Sequence, residues 1–173
     1  MPSMEFMIEE MRPGDWDSVR EIYREGILGE NATFEAEVPD WQKWDASHLP
    51  EPRLVARFHG QVAGWAALSR VSARRVYAGV AEVSLYIDGQ YQRKGIGDAL
   101  LAALVKASEN FGIWTLQASI FPENHASIRL HEKHGFRSVG RREKIAKMNY
   151  GSLRGKWRDT IFMERRSRVA GID

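Results

Sequence analysis

Apolar positions recur along this chain with two alternating periods, and the changes between them mark out its elements. Phe6 to Met11 alternates as a short strand, and Pro13-Gly14-Asp15 then supplies a turn and a capping residue. Trp16, Val19, Ile22, Tyr23 and Ile27 follow at helical spacing, so the first helix has one apolar face. Asn31 to Pro39 is polar and irregular, and a short segment with Trp41 and Trp44, read as helical, ends at Pro50 and Pro52. Arg53 to Phe58 and Gln61 to Val71 read as two strands around a His59-Gly60 turn, an antiparallel hairpin. In the strand from Val80 to Ile87, Val83, Leu85 and Ile87 share one face and Glu82, Ser84 and Tyr86 the other. The turn at Gly95-Ile96-Gly97 opens a helix striped by Ile96, Leu100, Leu101, Leu104, Val105 and Phe111. Trp114 to Phe121 is a strand, and Asn124 to His134 is a helix stopped by Gly135. Phe136 to Gly140 begins the closing strands, one of which spans Trp157 to Met163. Strand, helix, strand, helix in mid-chain makes a parallel pair, and hairpins flank it, so a mixed α/β sheet is expected.

At 173 residues, with no repeat and no linker-like stretch, the chain is expected to form one domain with a core from about 6 to 165. Cysteine is absent, which excludes disulfides, a cysteine nucleophile and thiolate zinc sites, and fits a cytoplasmic protein. Neither a signal peptide nor a membrane span is expected from the amino terminus or from any apolar run. The formal net charge of +2 hides an uneven distribution: residues 141–168 carry +7 and the remainder −5. That segment is open to two readings, an anion-facing surface or a solvated face interrupted by Trp157, Ile161 and Phe162.

Gln92-Arg93-Lys94-Gly95-Ile96-Gly97 lies between a strand and a helix N-terminus, where free N–H groups and the helix dipole favour an anion. Such a turn is an anion cradle or a structural turn, and it matches neither the P-loop nor the dinucleotide fingerprint, since Leu100 stands where the latter wants glycine or alanine. His125, His131 and His134 crowd one helix, yet His-Glu-x-x-His is missing, so no metal is expected. No Gly-x-Ser-x-Gly nucleophile elbow occurs. A nucleic-acid-binding module using the +7 segment is the reading from another functional class, but the segment holds few aromatics and no recognition motif.

Taken together, Glu82-Val83-Ser84-Leu85-Tyr86-Ile87, the Gln-x-x-Gly-x-Gly turn, Asn124-x-x-Ser127 and His131-Glu132-Lys133-His134-Gly135-Phe136 resemble the GCN5-related N-acetyltransferases. Asn31-Ala32-Thr33-Phe34-Glu35 and the run from Ala81 to Ile87 are similar to the phosphinothricin and methionine sulfoximine acetyltransferase group of that superfamily. The resemblance implies a mixed, mostly antiparallel seven-stranded sheet with splayed parallel central strands and flanking helices. It also implies acetyl-coenzyme A as cosubstrate, with pyrophosphate on the backbone of Gln92, Arg93, Lys94, Gly95, Ile96 and Gly97. Pantetheine would lie along Val83, Ser84, Leu85 and Tyr86 and meet Asn124 and Ser127, and the 3′-phosphate would sit near Arg93 or Lys94. A homodimer is implied as well. Gly155-Lys156-Trp157-Arg158-Asp159 keeps the group's carboxy-terminal pattern, while Lys144 to Leu153 is longer than the group's usual connection.

Acetylation of an amine by a thioester needs a neutral amine, and α-amines, with pKa near about 8, are mostly protonated at neutral pH. Glu82 matches the group's general base, acting directly or through one water. An N–H near Leu85, exposed by a strand bulge, is the expected oxyanion donor. His131 is read either as an acid or thiol contact or as a packing or capping histidine. Phe34, Glu35, Arg74, Arg75 and Tyr77 are candidate acceptor-binding residues, with an arginine for a carboxylate. The expected activity is acetyl transfer to the α-amine of a small amino acid or analogue in a ternary complex; a protein N-terminus or another small amine is the alternative acceptor.

Overall fold

Seven strands form one sheet in the order β1-β2-β3-β4-β5-β7-β6 in a computed structural model that describes residues 6–173. They are β1 (Phe6–Glu10), β2 (Arg53–Phe58), β3 (Gln61–Arg70), β4 (Val80–Ile87), β5 (Thr115–Ile120), β6 (Arg137–Lys147) and β7 (Trp157–Arg166). The helices are α1 (Trp16–Leu28), α2 (Trp41–Ser47), α3 (Ile96–Asn110) and α4 (His125–Lys133). Every strand pairing is antiparallel except that of β4 with β5. The β2–β3 hairpin turns at His59 and Gly60, both at positive φ, as a two-residue turn between right-twisted strands requires.

The sheet buries both faces. Val19, Ile22, Tyr23 and Ile27 of α1 and Trp44 of α2 pack with Val55, Val62, Trp65 and Ala67 on one side. Ile96, Leu100, Leu101 and Leu104 of α3 pack with Ala63, Ala66, Leu68 and Leu116 on the other. Along β3 the simple alternation is interrupted. Ala56 pairs with Gly64 but Arg57 with Val62, so Ala63 is an extra residue that resets which face the later side chains enter.

The central parallel pair is short. Val80, Ala81 and Glu82 pair with Thr115, Leu116 and Gln117, and the ladder stops there. From Val83 onward β4 keeps β3 as its neighbour but has no partner toward β5, which opens the sheet between the two strands. Gly79 anchors the start of this pair: its carbonyl accepts from the N–H groups of Trp114 (2.8 Å) and Thr115 (3.0 Å). A Cβ at Gly79 would lie 2.0 Å from the Trp114 ring, so only glycine admits that packing.

One expectation is corrected. No bulge exposes an N–H at Leu85, because the β3–β4 register runs unbroken from Gly64↔Ile87 to Arg70↔Ala81; the edge is open because β5 diverges. β6 continues to Lys147 past an irregularity at Lys144, whose φ is 48°, so the first residues of the long 144–153 stretch belong to the sheet. Several cations of the +7 segment have partners in the fold. Arg141 binds Asp159 (2.7 Å), Arg165 binds Glu109 (2.9 Å), and Arg142 lies 4.1 Å over the Phe162 ring. Among the described residues, no helix is long and apolar enough to cross a membrane.

Candidate active site

The gap between β4 and β5 leads into a cleft of about 730 Å³. Glu82, Val83, Ser84, Leu85 and Tyr86 form one wall and residues 118–121 the other. Segment 31–35, with Glu37 and Pro39, closes one side, and Lys43, Trp44, Ser47 and His48 line the end near α2. Asn124, Ser127 and His131 line it from α4.

Glu82 is half-buried where the parallel ladder ends. Burial raises its pKa above the ordinary carboxylate range, opposed by a hydrogen bond with the Gln117 side chain and by the charge of Arg142. A carboxylate of raised basicity facing a cleft suits proton abstraction from a bound amine.

Tyr86 faces the other way from Leu85, toward α1, where it stacks on Trp65 (4.9 Å) and meets Tyr23 edge-on (4.9 Å). Gly26 makes room for it, since a Cβ there would lie 2.7 Å from the Tyr86 ring. Burial pushes the Tyr23 hydroxyl up to about 12 and Tyr86 in the same direction, so both remain neutral hydroxyls at the cleft.

His131 is only 3% exposed. Its Nδ1 lies 2.7 Å from the Ser127 carbonyl, which must accept, so Nδ1 carries the proton. The ring packs edge-on against Phe136 at 4.9 Å, and burial lowers its pKa. At neutral pH Nε2 therefore presents a lone pair, which can receive a thiol proton but has none to give. His131 Nε2 and Thr160 Oγ1 are both buried without a partner among the described residues, and both residues line the cleft, where a bound polar group would complete them. Asn124 caps α4, its side chain accepting from the Ser127 N–H at 3.2 Å.

The turn from Gln92 to Gly97 lies outside the cleft lining, at the start of α3. Gly95 occupies the helix N-cap at φ 80° with no side chain capping the first turn, and Arg93 is also at positive φ (61°). This leaves an exposed helix start flanked by two cations, with the Lys94 ammonium 5.4 Å from the Phe58 ring centre. An open strand edge and an uncapped helix start at the two ends of β4 and its following turn fit an extended thioester bearing a pyrophosphate.

The model of the acetyltransferase (GNAT) family matches residues 16–136. The chain belongs to that family. GNAT enzymes use acetyl-coenzyme A, which supplies the activated acyl group and the departing thiol. The phosphinothricin N-acetyltransferase of Streptomyces viridochromogenes is 32% identical over 163 residues, covering 90% of this chain and 86% of that protein. The L-methionine sulfoximine/L-methionine sulfone acetyltransferase of Salmonella typhimurium is 28% identical over 155 residues, covering 87% and 88%. The solved structure of a GNAT phosphinothricin acetyltransferase from Sinorhizobium meliloti in complex with acetyl-coenzyme A matches with a TM-score of 0.85 at 29% identity, covering 98% of this chain and 92% of that one.

Of the residues expected at an acceptor site, Phe34 and Glu35 line the cleft of this GNAT domain. Arg74, Arg75 and Tyr77 do not: they are exposed on the connection before β4, and the Arg74 guanidinium lies 5.5 Å from the Tyr77 ring instead. The three histidines diverge, with His134 Nε2 on Asp98 at 2.8 Å, and among the described residues no group of three or more His, Asp or Glu converges as a metal site. Lys43 and His48 line the end of the cleft near α2, in a segment whose sequence signal is its tryptophans. Arg158, in the sequence only a member of the carboxy-terminal pattern, is buried to 6% exposure.

Proposed function

We propose that this enzyme transfers acetyl from acetyl-coenzyme A to the α-amine of a small amino acid or analogue of the phosphinothricin, methionine sulfoximine or methionine sulfone type. The observation that carries this reading is Glu82, a half-buried carboxylate of raised pKa at the point where the sheet opens into the cleft. The names of the relatives support the acceptor class.

In the proposed step, Glu82 takes the amine proton directly or through one water, and the freed lone pair attacks the acyl carbon. The carbon–nitrogen bond forms, the carbon–sulfur bond breaks, the electrons leave with sulfur, and the second proton shed by the nitrogen passes to solvent or through water to the departing thiolate. Charge developing on the acyl oxygen is met by an N–H from the unpaired edge of β4 beyond Glu82. A reference thiol pKa of about 8.5 makes the thiolate a competent leaving group, so an acid contributes little. Once the departing sulfur has gained a proton, His131 Nε2, a lone pair, suits accepting a hydrogen bond from that thiol and so orienting the sulfur. Without cysteine or a recognised serine nucleophile, an acyl-enzyme has no evident carrier, which supports direct attack in a ternary complex. A homodimer in the cytoplasm completes the proposal, and light scattering at about twice the 19.8 kDa chain mass tests the dimer.

A specific observation favours a second reading of the acceptor. Among the described residues, Glu35, Glu37 and Glu82 line the cleft against the single permanent cation Lys43. That balance suits a cationic amine without a carboxylate, such as a protein N-terminus or another small amine. An acceptor panel with thiol-release detection separates the two. Turnover of phosphinothricin, methionine sulfoximine or methionine sulfone above polyamines and a peptide supports the first reading; the reverse order overturns it.

A further inference from the structure

Segment 29–39 is irregular, yet seven of its residues line the cleft. Irregular backbone beside a cleft keeps one shape only if its polar groups find fixed partners. Those partners come largely from the carboxy-terminal part of the chain. The Glu30 carboxylate accepts from the Ser152 N–H (2.6 Å) and from the Ser152 hydroxyl (2.5 Å). The Tyr150 hydroxyl donates to the Thr33 carbonyl at 2.7 Å. Arg158 donates to the Glu30 carbonyl (2.5 Å) and to Asn31 Oδ1 (2.7 Å), while its guanidinium lies 3.6 Å from the Phe121 ring centre. Asn124 donates to the Asn31 carbonyl at 3.1 Å, and Phe34 rests edge-on against Phe121 at 4.8 Å.

Two backbone features show that this junction is built. Glu30 is held at φ 60°, an unfavourable conformation for a residue with a Cβ. Facing it, Gly151 is at φ 66°, and a Cβ there would lie 1.9 Å from the Glu30 carboxylate. The β6–β7 connection, which carries Tyr150, Gly151 and Ser152, therefore closes directly onto the segment that supplies Phe34 and Glu35.

We infer that the β6–β7 connection is a strap that holds segment 29–39 over the acceptor pocket, with Glu30, Tyr150, Ser152 and Arg158 as positioning residues that set affinity for the acceptor. None of Glu30, Tyr150 or Ser152 lines the cleft; they act through Thr33, Phe34 and Glu35. The inference rests on the proposed acceptor site, so its test has one arm that needs no acceptor.

Glu30→Gln, Tyr150→Phe and Gly151→Ala loosen the strap in three different ways: charge, a single hydroxyl, and steric displacement. Amide hydrogen exchange across 31–37, read with acetyl-coenzyme A alone, should quicken in each variant by about tenfold, the effect of losing one charge-assisted or buried hydrogen bond. With any amine that the panel shows to be turned over, the acceptor KM should rise by a similar factor while kcat and the acetyl-coenzyme A KM stay within about twofold, a split that general destabilisation does not produce. Unchanged exchange across 31–37 in Glu30→Gln and Tyr150→Phe overturns the strap whatever the acceptor. Quickened exchange with equal changes in both KM values overturns its role in acceptor affinity. If Gly151→Ala fails to fold, the other two variants decide.

Discussion

Gly95 offers a test in which backbone strain and ligand binding separate. At φ 80° and ψ 4° it adopts a left-handed conformation at the N-cap of α3. Placing alanine there costs roughly 1–2 kcal/mol of backbone strain. In a chain of this size, roughly 2–4 °C of melting temperature is lost per kcal/mol, so Gly95→Ala should melt roughly 2–8 °C below the wild type. Gly95→Glu pays the same strain and also sets a carboxylate beside the site proposed for a pyrophosphate. For charges about 5 Å apart the repulsion is roughly 1 kcal/mol in a water-like medium and roughly 3 kcal/mol near a protein surface. Affinity for coenzyme A, measured by calorimetry, should therefore fall by a further factor of roughly 5 to 150 beyond the loss in Gly95→Ala. The added loss should shrink as salt is raised, because the site is exposed. A folded Gly95→Glu that binds coenzyme A as well as Gly95→Ala does would refute the anion cradle.

Arg142 lowers the pKa of Glu82, so Arg142→Ala should move the acidic limb of the kcat/KM profile to higher pH with the plateau retained; a limb that stays put or moves down contradicts the coupling. Gly79→Ala drives a Cβ to 2.0 Å from the Trp114 ring. Overpacking of that kind costs roughly 1–3 kcal/mol, so thermal melting should drop by roughly 2–12 °C, and an unchanged melt would show that Trp114 moves aside freely. His131→Asn should reduce kcat far less than loss of Glu82, because Nε2 holds no proton to donate at neutral pH; an equal loss, with a basic limb that disappears, would restore an acid role.

Much of this architecture could be read in advance where one physical signal dominated. The stripe Val19, Ile22, Tyr23 and Ile27 packs as its spacing requires, and so does Ile96, Leu100, Leu101 and Leu104, because a helix has one face to bury. The His59-Gly60 turn likewise announces its hairpin. The extra residue at Ala63 was not legible, since a bulge in an almost wholly apolar strand leaves no break in the pattern. Glu82, Phe34 and Glu35, which their motifs single out, all line the cleft. Arg74 and Arg75 stand close to Glu82 in sequence, but the connection before β4 leaves them facing solvent, and proximity along the chain could not show that. Arg158 was hidden for the opposite reason: its partners Glu30, Asn31 and Phe121 are distant in sequence and meet only once β7 lies beside β5. A count of charges carries no sign that folding buries it.

The measurement that bears most directly on the whole account is the pH-rate profile of Glu82→Gln beside the wild type. Burial raises the pKa of Glu82, so stability is lost as the pH climbs from the ordinary glutamate value to the raised folded value and the penalty is complete above it; the neutral amide should therefore melt no lower than the wild type at pH 7. Loss of a general base costs roughly 100- to 10,000-fold, so kcat should fall into that range at neutral pH while coenzyme A binding is retained. The wild-type acidic limb should lie above the ordinary glutamate value and vanish in the variant. A folded Glu82→Gln enzyme that turns over at the wild-type rate across the pH range would contradict the account.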